Sequence, residues 1–202
     1  MLIAFRYYKI IHNTYPILST TKSAMLQRLI SCPPHLREAF YEALHVAVCS
    51  YPSSSPRQHD HQASRRVTQL ITLSQSNDGS VRSFSHNLIY LQTMLLMAIE
   101  VESQPPLNSN TGGLSWSVLL GSAVGLAYSM KLYLHKHSDA PSENDPNTDD
   151  KISRRLWWCL VIMDRWHASS TGSPSLIPDS SVVVYPEDQA LLGENLYQLA
   201  RK

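Results

Sequence analysis

The stretch Arg154-Arg155-Leu156-Trp157-Trp158-Cys159-Leu160-Val161-Ile162-Met163-Asp164-Arg165-Trp166 decides how this chain folds. It gathers three of the four tryptophans into ten residues and flanks them with arginines. Placed on a helix at 3.6 residues per turn, Ile152, Leu156, Cys159, Leu160 and Met163 make one continuous face. Trp157, Val161 and Asp164 make a second side, and Trp158 shares the third with Arg154 and Arg165. A helix that is apolar on most sides belongs in the middle of a bundle. Arg154, one turn before Trp158, is placed to lay its guanidinium over the indole, an interaction of about 0.5–1 kcal/mol at an exposed position.

Asp164 is the unusual member of this helix. A carboxylate set beside Trp157 and Val161 must find a partner or remain costly. The expected partners are a nearby arginine or the backbone amides of the Ser169–Gly172 turn. Asp164 is then a structural group that holds the following loop. The competing reading is an effector pocket lined by Trp157, Asp164 and Trp166. The structural reading carries more weight, because ion pairs that organise a fold also perturb charged groups.

Outward from this helix, 3.6-residue periodicity dominates the chain. A short helix is predicted over 1–11, closed by His12-Asn13 and Pro16. Thr20 to Ser23 offer N-caps for a helix to Ile30. Pro33-Pro34 suits the first turn of a helix ending before Pro52, and 61–75 form a weaker one. Asn77-Asp78-Gly79 reads as a turn. Ser83 or Ser85 caps a helix through Glu102 with Leu88, Leu91, Leu95, Ala98 and Ile99 on one face. Another helix spans 114–135, its small residues Gly121, Ala123, Gly125 and Ala127 admitting a close neighbour. Residues 138–148 form a polar linker. Asp149 or Asp150 caps the tryptophan helix and complements its N-terminal dipole; that helix stops near Ser170, before Gly172. Ser181 to Tyr185 is extended at most. A last helix begins at Pro186-Glu187-Asp188 and carries Leu191, Leu192, Leu196 and Leu199. The fold class is therefore all-α, a multi-helix bundle of antiparallel helices. Residues 1–202 are read as a single helical domain cut short at its C-terminus, where an apolar stripe reaches Lys202 without a stop signal.

Composition narrows the function. A net charge of +1 lacks the basic excess of a phosphate-gripping domain, so DNA is not expected as a direct partner. Three scattered cysteines, Cys32, Cys49 and Cys159, make neither a disulfide scaffold nor a Cys-x-x-Cys zinc site. Val118–Leu134 contains Ser122, Ser129 and Lys131 and falls short of the ~20 apolar residues of a membrane span. His59-x-His61 and His135-x-His137 lack completing ligands, and Asp145, Asp149 and Asp150 lack the spacing that holds magnesium on a helix, so no metal site is expected. No G-x-S-x-G, P-loop or G-x-G-x-x-G occurs. No catalytic residue is assigned.

Beside these readings stands a family resemblance. Arg155, Trp157, Trp158, Asp164 and Arg165, followed by Gly172, Pro174, Ile177 and Asp179, reproduce an R-x-W-W, Asp-Arg, G-x-P-x-x-I-x-D pattern. This run resembles the signature of the fungal-specific transcription factor domain, the regulatory middle region of zinc-cluster transcription factors such as the xylanolytic activators. Tyr7 to Leu18 is similar to that family's opening segment. Gly121 to Ala127 with Leu132 to His135 is similar to its small-residue helix, although the family usually has Gly where Tyr133 stands. The segment from Asp164 to Asp188 is similar to glucose-responsive members. The resemblance implies an all-helical, non-catalytic regulatory domain of a nuclear protein. Its implied partners are the rest of a transcription factor chain or co-regulator proteins. DNA would be reached only through an N-terminal module of six cysteines and two zinc ions. This sequence does not contain that module, so no cofactor is expected in the chain.

Overall fold

A computed structural model describes residues 2–51, 61–76, 83–103, 115–134 and 145–193. Their elements are eight α-helices in chain order: α1 (Leu2–Ile10), α2 (Lys22–Ile30), α3 (Pro34–Ser50), α4 (His61–Ser76), α5 (Phe84–Glu102), α6 (Trp116–Ser129), α7 (Asp149–Thr171) and α8 (Glu187–Leu192). A 3₁₀ turn, Asp179–Ser181, lies between α7 and α8. Among the described residues there is no strand; Val182 to Tyr185 is irregular backbone. The fold is the all-α bundle that the periodicity predicts.

The caps follow the expected chemistry, with one correction. Thr21 accepts the amide of Ala24, and Ser83 accepts that of His86, each satisfying a free N–H of a first turn. α7 is capped by Thr148, which accepts from the amide of Lys151 at 3.4 Å. Asp149 and Asp150 are not the cap; they occupy the first turn, where they still oppose the positive end of the helix. Asp149 ties three elements together instead, through its ion pair with Arg28 and a 2.7 Å bond from Ser85 Oγ.

α5 packs against α3, α6 and α7. It is therefore buried on all sides, from Leu88 to Glu100, and not along the single stripe that the spacing picks out. Two of its buried polar groups bond backbone carbonyls. Gln92 Nε2 donates to the carbonyl of Ile17 at 2.7 Å, and Thr93 Oγ1 to that of Ile89 at 2.8 Å.

α6 differs from its prediction twice. It ends at Ser129, six residues early, in a turn with Lys131 at φ 58°. The amide of Leu132 bonds the carbonyl of Ala127, and that of Lys131 the carbonyl of Tyr128. That pairing is a Schellman motif with lysine in the left-handed position usually taken by glycine, so the sequence shows no stop there. The small residues also divide. Ala123 and Ala127 are buried, while a methyl added at Gly121 or Gly125 would meet nothing within 4 Å. The alanines, not the glycines, make the close approach. Asn77 to Gly79, residues 138–144, Leu196 and Leu199 lie outside the described residues.

Candidate functional site

α7 positions every residue of the tryptophan signature. From Ile152 to Asp164 all thirteen of its residues are buried. Its charged side chains hold two connecting segments, one near residues 15–20 and a strap formed by residues 172–188.

Arg155 holds the first segment. It is 1% exposed, and it donates through Nη1 to the carbonyl of Pro146 at 2.6 Å and through Nη2 to that of Leu18 at 3.4 Å. Burial works against its charge and lowers its pKa. The same segment is fastened from α1 by Tyr7. The Tyr7 hydroxyl donates to the carbonyl of Tyr15 and accepts from the amides of Ile17 and Leu18. The imidazole of His12, close by, is lowered to about 4, first by burial and then by the charge of Arg155. Asn147 completes the fastening by accepting from the amide of Thr20 at 2.7 Å.

Asp164 and Arg154 hold the strap. Gly172 ends α7 at φ 69°, a backbone conformation that suits glycine. The chain then turns back, and both oxygens of Asp164 accept backbone amides, from Leu176 at 2.9 Å and Ile177 at 3.0 Å. Neither an arginine nor the Ser169–Gly172 turn supplies its partners, because the strap turns back four residues farther on. Ile177 is fully buried, and Pro174 is exposed. Arg165 Nη2 donates to Asp179 at 2.6 Å, but the Asp179 side chain is 96% exposed, so solvent screens that pair. Farther along, Arg154 forms a two-pronged pair with Asp188, at 2.7 and 2.6 Å, and both side chains are buried. Its Nη2 also donates to the carbonyl of Val183, at 2.5 Å. The guanidinium lies over two rings, 5.1 Å from the centroid of Trp158 and 4.9 Å from that of Tyr185. The cation–π contact expected with Trp158 is present, in the interior.

The three residues of the effector reading have separate neighbours. Trp157 is fully buried against Tyr128 and Tyr133, with ring centroids at 5.6 and 6.1 Å. Asp164 is engaged by the two amides. Trp166 is 41% exposed and meets Tyr15 edge-on at 6.0 Å. The buried Cys159 thiol is pushed up to about 12 by burial, so it stays protonated and unreactive. Among the described residues no group of three or more His, Cys, Asp and Glu is placed to hold a metal, and no helix is long and apolar enough to cross a membrane.

Sequence reasoning missed Tyr7, Asn147 and Asp188 as fasteners. Only Asp188 carried a signal, being an acidic residue at a helix start in a chain whose tryptophan helix carries arginines among apolar residues. The Asp164 clasp is directly testable. Asp164→Asn keeps the shape but sets an NH₂ group against one of the two amides. It is expected to lower stability by about 1–3 kcal/mol in urea unfolding, and to speed hydrogen exchange at Leu176 and Ile177.

This chain is a helical scaffold whose signature charges are engaged by its own backbone and, for Arg154, by Asp188. Comparison with known proteins identifies the class: a family model described as the fungal specific transcription factor domain matches residues 5–198, and the chain belongs to that family. It is similar to an uncharacterized transcriptional regulatory protein of Schizosaccharomyces pombe, 36% identical over 198 residues, which cover 97% of this chain and 22% of the relative. It is also similar to the Zn(2)-C6 fungal-type transcription factors FTF1c and FTF2 of Fusarium oxysporum. These are 27% and 26% identical over 103 residues, 48% of this chain and 10% and 9% of theirs. The chain thus spans about a fifth of the length of the first relative and about a tenth of the others. No solved structure matches. The chain is a regulatory domain of the fungal transcription factor type.

Proposed function

We propose that this domain regulates transcription in the nucleus without catalysis, through contacts with the rest of a transcription factor chain or with co-regulator proteins. One observation carries the reading. The three buried charges of the signature helix are engaged within the domain itself: Arg155 by two carbonyls, Asp164 by two amides and Arg154 by Asp188. A helix so committed builds a shape. What the domain offers to other molecules is its surface. DNA recognition belongs to a zinc-cluster module elsewhere in such proteins, and no cofactor is assigned to this chain. Two measurements test the proposal. A binding assay with mixed duplex DNA should show only weak, salt-sensitive association with this chain; tight sequence-specific binding would overturn the assignment of partners. A reporter driven by the chain fused to a foreign DNA-binding module should respond to substitutions of surface residues that leave the unfolding midpoint unchanged. An unresponsive reporter contradicts regulation through surface contacts.

A second reading keeps Trp157 as part of an effector site with Asp164 and Trp166. It is supported by two buried atoms without a partner, Trp157 Nε1 and Tyr128 Oη, on rings 5.6 Å apart. Specific stabilisation by a metabolite, lost in Trp157→Phe, supports it; stabilisation that survives the substitution does not.

A further inference from the structure

The point where the strap leaves α7 has a feature that the signature does not explain. Residues 169–176 are exposed without interruption, and Ser173 to Ser175 are irregular backbone. Within them stands Ser173-Pro174, the one Ser-Pro or Thr-Pro pair among the described residues. The hydroxyl of Ser173 lies 3.0 Å from Thr171 Oγ1, itself exposed. A kinase that reads proline after its acceptor needs an accessible hydroxyl on non-helical backbone, and this segment supplies both. We propose that Ser173 is a phosphorylation site for a proline-directed kinase, and that the phosphate releases the strap from α7.

The chemistry is a phosphoryl transfer from a nucleoside triphosphate. Ser173 Oγ forms a bond to the γ-phosphorus, the bond from that phosphorus to the β–γ bridging oxygen breaks, and the hydroxyl proton leaves to the kinase's base. The product carries close to two negative charges near pH 7. These charges sit just past the C-terminus of a 23-residue helix, the negative end of its dipole. No basic residue in the last turn offsets them. The nearest basic side chain along α7, apart from His167, is Arg165, already paired with Asp179. Three and four residues past Ser173 come the amides of Leu176 and Ile177 that Asp164 must keep. A phosphate at Ser173 is thus repelled by the helix end and by the clasp carboxylate at the hinge of the strap. Releasing the strap relieves this repulsion and uncovers the socket filled by Ile177.

The inference concerns the strap itself and does not depend on which partner the domain meets. Its test is to treat the folded chain with a proline-directed kinase and magnesium ATP, map phosphate by mass spectrometry, and follow hydrogen exchange across residues 174–188. The expected result is a phosphate on Ser173 and exchange at Leu176 and Ile177 faster by about tenfold or more. Ser173→Ala should block the modification and leave exchange slow, while Asp164→Asn should reach fast exchange without kinase. Phosphate appearing at Ser173 only after heat unfolding, or on Ser170 or Ser175 instead, overturns the proposal. So does phosphate on Ser173 with unchanged exchange.

Discussion

Arg154→Ala is expected to lower the stability of the domain by about 3–5 kcal/mol, the cost of leaving a buried charge without its partner. Asp188 is that charge. Its side chain is 2% exposed, and without the arginine its remaining contact is the amide of Tyr185 at 2.8 Å. The substitution also removes the contacts with the Trp158 and Tyr185 rings, so lost packing adds to lost charge. Urea unfolding followed by tryptophan fluorescence measures the effect. The pair itself is not expected to be worth this much. Replacing both partners by apolar residues of similar volume, Arg154→Met with Asp188→Leu, should return most of the loss. A single substitution costing under about 1 kcal/mol would mean that water reaches the pair and screens it.

The second large effect is at Trp157. Trp157→Ala removes a fully buried indole from the three-ring cluster with Tyr128 and Tyr133. Large-to-small changes of this kind cost about 3–5 kcal/mol, from lost transfer energy and the cavity left behind. Trp157→Phe should cost far less. It keeps an aromatic ring, and the indole Nε1 has no hydrogen bond to lose. The same urea titration separates the two variants. Trp166→Ala provides the contrast: its ring is 41% exposed, and its removal should shift stability by less than either. Equal losses at Trp157 and Trp166 would contradict the interior placement of the signature helix.

Much of this fold is legible in the sequence, for identifiable reasons. Helices α1 to α5 and α7 announce themselves through apolar spacing, and α2, α3, α5 and α7 also through Thr, Ser or Pro at their starts. α7 is apolar on nearly every side, and it lies where that pattern requires. The stop of α6 is not legible, because Lys131 gives no sign that it adopts a left-handed turn. The all-round burial of α5 was present in its composition, since Ile89, Met94, Leu96 and Met97 fall off the chosen stripe and are also buried. The site is read less fully. That Asp164 holds the following loop follows from a carboxylate in an apolar setting. Its partners do not, because a backbone amide is the same at every residue and leaves no trace in side-chain type. The same holds for Arg155, whose partners are two carbonyls. Asp188 could be paired with Arg154 only once the strap had been turned back along α7.

The bond from Arg155 to the carbonyl of Leu18 joins residues 137 positions apart. On a ribosome adding about 5–20 residues per second, Leu18 emerges many seconds before the guanidinium that will receive it. Until then the 15–18 turn is held by Tyr7, from within its own neighbourhood in sequence, and then by Gln92, which donates to the carbonyl of Ile17. A nascent chain halted before position 155 should therefore carry a 15–18 turn that is formed and fastened to α1 and α5 but not yet to α7.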